Sequence, residues 1–215
     1  MLSAGTQTSV QDFPGRLGYW AVGVPPSGPM DDRALRLGNR LLDNPPGAAA
    51  LEITLNGPTL KFHCAALAVV SGAGVPVTLD GIAQEMNRVL LIPAGATLKI
   101  GAVEGAGVRS YLCLRGGIQV PDYLGSKSTF TLGQFGGHGG RALRSGDVLH
   151  LAPDGKGETG AALPVALVPP LATVRTAGDL RSARCAGIFC RRLHRHLFLP
   201  PTGRCILTPA VLACG

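Results

Sequence analysis

The chain has 215 residues, of which 46% are hydrophobic and only 15% are charged, with 31 glycines and 17 prolines. This composition excludes an intrinsically disordered chain and is typical of a turn-rich globular protein with one large domain or slightly more. The net charge of +7 does not indicate a nucleic-acid-binding surface, because residues 181–215 hold six arginines and no lysine or acidic residue, so the excess charge belongs to one end of the chain.

The N-terminal stretch MLSAGTQTSVQDF has no basic region and no apolar core, so we expect no signal peptide and a cytoplasmic protein. No apolar run approaches the roughly 20 residues that cross a bilayer. Residues 11–31, called the first loop below, are rich in glycine and proline. The stretch DDRALRLGNRLLDN that follows predicts the one helix, with Asp31 as its N-cap and NPPG at residues 44–47 as its end.

From residue 48 to 151 the sequence predicts short β-strands, because apolar and β-branched segments recur between turn signals. The predicted strands cover residues 50–55, 59–63, 67–71, 75–80, 88–92, 97–101, 109–115 and 147–151. Asp80 and Gly81 are typical of a two-residue hairpin turn. The pattern indicates a mainly β fold, either a sandwich or a barrel, in which Cys64 and Cys113 are expected to be small buried thiols.

Residues 125–147, called the second loop below, combine many glycines with polar and aromatic side chains. A phosphate cradle is not indicated, because GxxxxGK[ST] is absent and GGHGG lacks a strand–loop–helix context. Ser27 lacks the preceding glycine of a GxSxG nucleophile elbow. The donors and acceptors of the two loops would suit a small amide or urea group, whose N–H and C=O groups must be paired when buried. Two elaborate strand connections without a ligand are an equally open interpretation.

Four cysteines crowd the C-terminal end, beyond a stretch at residues 154–164 that resembles a linker. They are Cys185, Cys190, Cys205 and Cys214, with His194 and His196 between them. Their spacing matches no standard zinc site, so we expect no metal.

Long motifs give the sequence a specific family resemblance. TSVQDFPGRLGYWAVGVPPSGPMDDRA (residues 8–34), GAAALEITLNGPTLKF (47–62) and RGGIQVPDYLGSKSTFTLGQFGGHGGRALRSGDVL (115–149) resemble the carboxyltransferase region of urea carboxylase, the biotin-dependent part of urea amidolyase. The same module is similar to a subunit of bacterial 5-oxoprolinase and to the allophanate hydrolase subunit 2 group. PGRLGYW and STFTLGQFGGHGGR favour the urea carboxylase branch.

The resemblance implies a mainly β fold, a cyclophilin-like β-barrel with one N-terminal helix and a truncated second barrel half. The implied domains are a carboxyltransferase domain at residues 1–153, a linker with the start of the second half at 154–175, and a poorly ordered tail at 176–215. We interpret the tail as an out-of-frame translation, because its codons, read in a shifted frame, can yield family motifs such as GPHGAP. The cysteines, histidines and arginines of the tail would then reflect GC-rich codons.

The resemblance further implies transfer of a carboxyl group from carboxybiotin to a urea nitrogen, giving allophanate. The implied catalytic residues are Gln11, Asp12, Arg16, Ser27, Asp31 and His138. The implied substrate-binding residues are Tyr19, Gly28, Pro29, Met30, Gln134, Gly136 and Gly137. Arg16 would hold the carboxylate and His138 would accept a proton. An internal ion pair between Asp12 and Arg16 that only braces the first loop is equally open, and Glu52 is expected to buttress the loops.

Biotin is expected to arrive on another domain or chain, because no MKM-type biotinyl-lysine site occurs and EMNRV has Asn87 where a lysine is needed. The implied partners are a biotin carrier, a biotin carboxylase that uses ATP, and a companion carboxyltransferase domain, so the isolated chain is expected to be inactive. Two alternatives stay open: a 5-oxoprolinase subunit, which opens 5-oxoproline with ATP in a complex, and a non-catalytic partner-binding module. No nucleic-acid or membrane partner is expected.

Overall fold

The structure, a computed structural model, describes residues 1–151. It is mainly β with one α-helix, which confirms the predicted class. The strands are β1 (Gln7–Gln11), β2 (Ala50–Thr54), β3 (Thr59–Lys61), β4 (Ala66–Gly72), β5 (Val77–Leu79), β6 (Ile82–Gln84), β7 (Leu90–Ile92), β8 (Thr97–Ile100), β9 (Arg109–Leu114), β10 (Ile118–Gln119) and β11 (His150–Leu151). Helix α1 spans Asp32–Leu41, and a 3-10 turn spans Trp20–Val22. The predicted linker, the out-of-frame tail and its four cysteines lie outside the described residues.

The strands pair into open sheets rather than into one closed barrel in the part of the chain that the structure describes. One sheet has the order β1-β2-β9-β4-β7, a second has the order β3-β8-β5-β6, and β10 pairs with β11. Every pairing is antiparallel. The architecture is therefore closer to a sandwich than to the barrel that the resemblance implied.

Two apolar cores hold these layers together. The main core lies between the two larger sheets, where Leu51, Ile53 and Leu112 of the five-stranded sheet join Leu98 and Ile100 of the four-stranded sheet. A second core lies on the opposite face of the five-stranded sheet, under α1. Its buried members are Ala34, Leu35, Leu41, Leu42, Ala50, Val69, Tyr111 and Cys113. The five-stranded sheet is thus covered on both faces, which fixes the register of its strands.

Helix α1 begins and ends where its sequence signals predict. The Asp31 carboxylate caps it by accepting a hydrogen bond from Ala34 N (3.1 Å). The helix stops at Leu41, just before the NPPG segment. The first loop therefore leads directly into a helix whose inner face is buried against the sheet, and this anchors the C-terminal end of the loop.

The two cysteines of the β region differ in environment. Cys113 on β9 is fully buried, and this burial raises the pKa of its thiol to about 12. Cys64 is exposed, so the expectation of a buried thiol was wrong there. The reason is local: β3 ends at Lys61, and Cys64 lies in the bend that follows rather than in the strand.

Gly38 marks the closest approach of α1 to the sheet. An added Cβ would lie 2.6 Å from Cys113 Sγ and 3.1 Å from Ser71 Oγ. Gly38→Ala gains about 1 kcal/mol of helix propensity, but overpacking a tight core costs about 1–3 kcal/mol. We expect a net loss of about 1 kcal/mol in the free energy of unfolding, measured by urea denaturation. A more stable variant would show that the Cys113 side chain can move aside.

Candidate functional site

The first and second loops pack directly against each other, and Asp12 is the first link between them. Its buried carboxylate accepts hydrogen bonds from Ser126 Oγ (2.6 Å), Lys127 N (2.9 Å) and Ser128 Oγ (2.5 Å). These donors lie 114 to 116 positions further along the chain. Three donors on one ionised carboxylate make this a strong, charge-assisted clamp.

Arg16 is the second link between the loops. Its side chain is fully buried, and it donates from Nε to Tyr123 O (3.0 Å) and from Nη2 to Ser128 O (3.0 Å). The guanidinium carbon lies 4.9 Å from the ring centroid of Phe135 and 5.9 Å from that of Tyr123. The third nitrogen, Nη1, is buried without a hydrogen-bond partner among residues 1–151. Asp12 and Arg16 thus each bind the second loop, and the internal ion pair between them is not observed.

Gln11 joins the same assembly from the end of β1. Its Nε2 donates to Ser9 Oγ (3.1 Å) and Thr129 O (3.3 Å), and its Oε1 accepts from Gly28 N (3.1 Å). Gln11 is buried, like Asp12 and Arg16. The structure therefore brings these three predicted catalytic residues together where the two loops meet. The polar atoms of Gln11 and Asp12 bind protein groups, whereas Arg16 keeps one nitrogen, Nη1, without a partner among the described residues.

The segment of residues 27–31 is fixed from below by two residues of the sheet. Met30 N donates to Glu52 Oε2 (2.7 Å), and Asp31 N donates to Tyr111 Oη (2.7 Å). Tyr111 in turn donates to Glu52 Oε2 (2.7 Å). Burial, reinforced by the charge of Glu52, raises the pKa of Tyr111 far above its ordinary value, so the phenol stays neutral. Glu52 buttresses this loop as expected, whereas sequence reasoning missed Tyr111, because an aromatic residue in a strand is usually interpreted as core.

Packing explains most glycines of the GGHGG motif. A Cβ at Gly136 would strike the carbonyl of Ser128, and one at Gly137 would strike the Thr129 side chain. Gly140 similarly lies against the backbone of Gln134. At Gly139 a Cβ would meet nothing within 4 Å. Close approach to a ligand is therefore unnecessary to explain Gly136 and Gly137, and the main chain is open only at Gly139.

His138 lies beside an ion pair that sequence reasoning did not assign to the site. Arg141 donates from Nη1 and Nη2 to the two carboxylate oxygens of Asp147 (2.8 and 2.9 Å), and Arg144 N donates to Asp147 as well (2.8 Å). His138 Nε2 is 3.8 Å from Asp147 Oδ1. The Arg141 hydrogen bonds hold the pKa of Asp147 well below its usual range. His138 therefore faces a carboxylate that stays ionised.

The lowered pKa of Asp147 predicts a pH dependence of stability. A carboxyl group with a depressed folded-state pKa stabilises the fold fully above its unfolded pKa, about 4, and loses that contribution as the pH falls toward the folded pKa. Asp147→Asn should therefore flatten the decline of the urea midpoint between about pH 5 and pH 2. Asp32→Asn, at an exposed carboxylate, is the matched control. Identical acid slopes for wild type and Asp147→Asn would contradict the assignment.

The other predicted residues lie nearer the surface. Tyr19, Ser27 and Pro29 are partly exposed, and Met30 and Gln134 are exposed. Large apolar side chains of the first loop are exposed beside them: Leu17, Trp20 and Val22. The two loops thus present a mixed polar and apolar surface above the buried clamps.

Among residues 1–151, no helix combines the length and the apolar character that a membrane span requires. The same residues bring no three His, Cys, Asp or Glu side chains together in a metal-ligating group.

Comparison with known proteins gives concordant matches. A family model described as "Carboxyltransferase domain, subdomain A and B" matches residues 22–189. Urea amidolyase of Saccharomyces cerevisiae is 48% identical over 160 residues, which are 74% of this chain and 9% of that protein. A 5-oxoprolinase subunit of Escherichia coli is 40% identical over 149 residues, which are 69% of this chain and 47% of that protein. A crystal structure of Kluyveromyces lactis urea carboxylase matches with a TM-score of 0.73 and 48% identity, over 80% of this chain and 16% of that one. The chain thus spans less than half the length of each of these relatives.

Proposed function

Because the chain belongs to the family of carboxyltransferase domains with subdomains A and B, we propose that residues 1–151 supply one wall of a biotin-dependent carboxyltransferase site. In the proposed reaction a carboxyl group borne by biotin moves to a urea nitrogen. The bond from the carboxyl carbon to the biotin nitrogen breaks and a bond from that carbon to the urea nitrogen forms. The urea nitrogen loses a proton, and the released biotin nitrogen takes up a proton in its place. The product is allophanate.

The observation that carries the proposal is the unpartnered Nη1 of Arg16, buried where the two loops meet. A buried guanidinium donor without an acceptor is costly, and a carboxylate is its best-matched partner. Phe135 packs against the same guanidinium and limits its movement. This supports a site in which Arg16 recognises the transferring carboxyl group when the loops open around it.

The remaining roles follow from what each side chain is free to do. His138 accepts the proton of the urea nitrogen. Arg141 keeps Asp147 ionised, and the Asp147 carboxylate lies beside the His138 ring. Ser27 and Met30 border the urea. Three predicted catalytic side chains, Gln11, Asp12 and Asp31, are occupied within the protein, so in this proposal they position the loops.

Polar groups at the surface of the loops also suit biotin, whose ureido ring has one carbonyl acceptor and two N–H donors, one of which is replaced when the ring is carboxylated. Gln134 and Tyr19, together with the open main chain at Gly139, would hold it. Biotin, when its carrier brings it, supplies the carboxyl group that is transferred. ATP is consumed by the partner biotin carboxylase.

A companion carboxyltransferase domain completes the site in this proposal. The chain covers 47% of the E. coli 5-oxoprolinase subunit, so relatives contain a further half. Leu17, Trp20 and Val22 of the first loop are 60%, 73% and 76% exposed. Such apolar exposure within six residues suits a covering partner. The proposed partners are thus the companion domain, the biotin carrier and the biotin carboxylase.

Urea is favoured over 5-oxoproline as the substrate, because identity to the urea amidolyase of yeast is 48% against 40% for the 5-oxoprolinase subunit. The test reconstitutes the chain with its carrier, carboxylase and companion domain, and supplies ATP and labelled bicarbonate. We expect label in a urea product and none with 5-oxoproline. Turnover of 5-oxoproline but not of urea would instead identify the chain as a 5-oxoprolinase subunit. Stable assembly of the complex without turnover of either substrate would identify it as a non-catalytic partner-binding module.

A further inference from the structure

A row of polar side chains crosses the face of the five-stranded sheet that α1 covers. Glu52 on β2 lies opposite Ser9 on β1 and opposite Tyr111 on β9, and Tyr111 lies opposite Ser71 on β4. Directly paired residues of neighbouring strands project from the same face. Ser9, Glu52, Tyr111 and Ser71, called the polar row below, therefore line up across four strands. Polar side chains in line on a covered face need partners, and the first loop and the start of α1 supply them.

The centre of the polar row binds two consecutive amides of the first loop. Glu52 accepts from Met30 N and Tyr111 accepts from Asp31 N, each at 2.7 Å. The single hydroxyl proton of Tyr111 goes to Glu52. A phenol has one donor and can accept in addition, so both capacities are used in this arrangement.

The ends of the polar row bind the same stretch of chain on either side. Ser9 accepts from Gln11, whose Oε1 accepts from Gly28 N (3.1 Å). Ser71 donates to Ala34 O (2.8 Å). Residues 28–34 thus cross the sheet along the polar row and are fastened in the order of the strands β1, β2, β9 and β4.

This fastening determines what residues 28–31 can offer a ligand. The amides of Gly28, Met30 and Asp31 are all bonded to the sheet, and Pro29 has no amide hydrogen. The carbonyls of Gly28, Pro29 and Met30 accept no hydrogen bond from any described residue. The segment therefore holds acceptors and no available main-chain donor, which suits an N–H donor and disfavours an oxyanion.

We propose that the polar row holds residues 28–30 as an acceptor edge for the N–H groups of an amide or urea substrate, with Glu52 and Tyr111 as positioning residues. The inference rests on the proposed function and adds to it that different residues recognise the two reacting groups. The carbonyls of residues 28–30 recognise the nitrogen side of the substrate, and the carboxyl group is recognised elsewhere.

The first arm of the test needs no activity. Amide hydrogen exchange of the 215-residue chain is compared for wild type, Tyr111→Phe and Glu52→Gln. Tyr111→Phe should speed exchange at Asp31 by about tenfold or more, because it removes the acceptor of that amide and keeps the ring. Glu52→Gln keeps one acceptor oxygen for the Met30 amide. It should therefore change exchange at Met30 much less than Tyr111→Phe changes exchange at Asp31. Ser110→Ala, which removes a neighbouring hydroxyl bonded to Ala73 O, is the control and should leave both amides unchanged.

The second arm measures KM and kcat in the reconstituted enzyme. Tyr111→Phe should raise KM for urea by about tenfold while KM for the carboxyl donor stays within about twofold, and Glu52→Gln should retain near wild-type KM values. A general loss of folded protein would lower the activity without changing the two KM values differently.

Unchanged exchange at Asp31 would overturn the role of the polar row. Faster exchange with an unchanged KM for urea would overturn the acceptor edge and leave the proposed function standing. A wild-type enzyme that does not carboxylate urea would overturn the proposed function and the acceptor edge together, with the exchange data still deciding the polar row.

Discussion

Replacing Arg16 with methionine is expected to lower the free energy of unfolding by about 2–4 kcal/mol. Methionine fills much of the space but leaves the carbonyls of Tyr123 and Ser128 without their donor, at about 1–3 kcal/mol each. Removing a buried guanidinium also recovers part of its desolvation cost, so the net loss of stability is smaller than the upper limit for the two carbonyls added together. Urea denaturation of the chain measures the difference.

Arg36→Met is the matched control for this prediction. The Arg36 guanidinium also stacks on a phenyl ring, 4.8 Å from the centroid of Phe13, but its side chain is 49% exposed. We expect a change below about 1 kcal/mol. If Arg16→Met proved as stable as wild type or more stable, Arg16 would not hold the loops together and its conformation would serve a ligand alone.

Replacing Asp12 with alanine is expected to cost about 3–5 kcal/mol of stability, the largest effect of a single change near the site. The variant leaves Ser126 Oγ, Lys127 N and Ser128 Oγ without their acceptor. Hydrogen bonds to a charged group contribute about 1.5–3 kcal/mol each, and the two hydroxyls recover part of this by rotating to other partners. The urea midpoint and exchange rates of residues 126–128 should both report the loss.

Asp32→Ala provides the comparison for Asp12. Asp32 pairs with Arg36 at 3.5 Å on the surface, where both side chains are about half exposed. Its removal should cost less than about 1 kcal/mol, including its interaction with the helix dipole. Equal losses at Asp12 and Asp32 would contradict the clamp between the two loops.

Local signals predicted most of the fold. The Asp31 cap and the NPPG segment bounded α1 correctly, and each of the eight predicted strand segments overlaps an observed strand. Asp80 and Gly81 have positive φ angles of 49° and 84° and join β5 to β6, as the hairpin signal indicated. These features depend on residues that are close together in the sequence, so a local sequence pattern can predict them.

Strand β1 and the roles of the site residues could not be predicted in the same way. Thr8, Ser9 and Gln11 of β1 are buried polar residues, so the strand has no alternation of apolar and polar positions. Their burial is tolerated because each side chain has a partner: Thr8 Oγ1 donates to Ala4 O, and Gln11 Nε2 donates to Ser9 Oγ and to Thr129 O of the second loop. Asp12 and Arg16 likewise bind groups more than a hundred positions away, which no local pattern reveals.

A double-mutant cycle between Ser27 and His138 measures most directly whether the two loops act on one substrate. In the reconstituted enzyme, Ser27→Ala and His138→Asn are each expected to lower kcat/KM for urea by about tenfold or more. The double variant should lose clearly less than the product of the two single losses, because residues that serve one transition state are not additive. Losses that multiply without coupling, or a His138→Asn enzyme with full activity, would contradict a shared carboxyltransferase site.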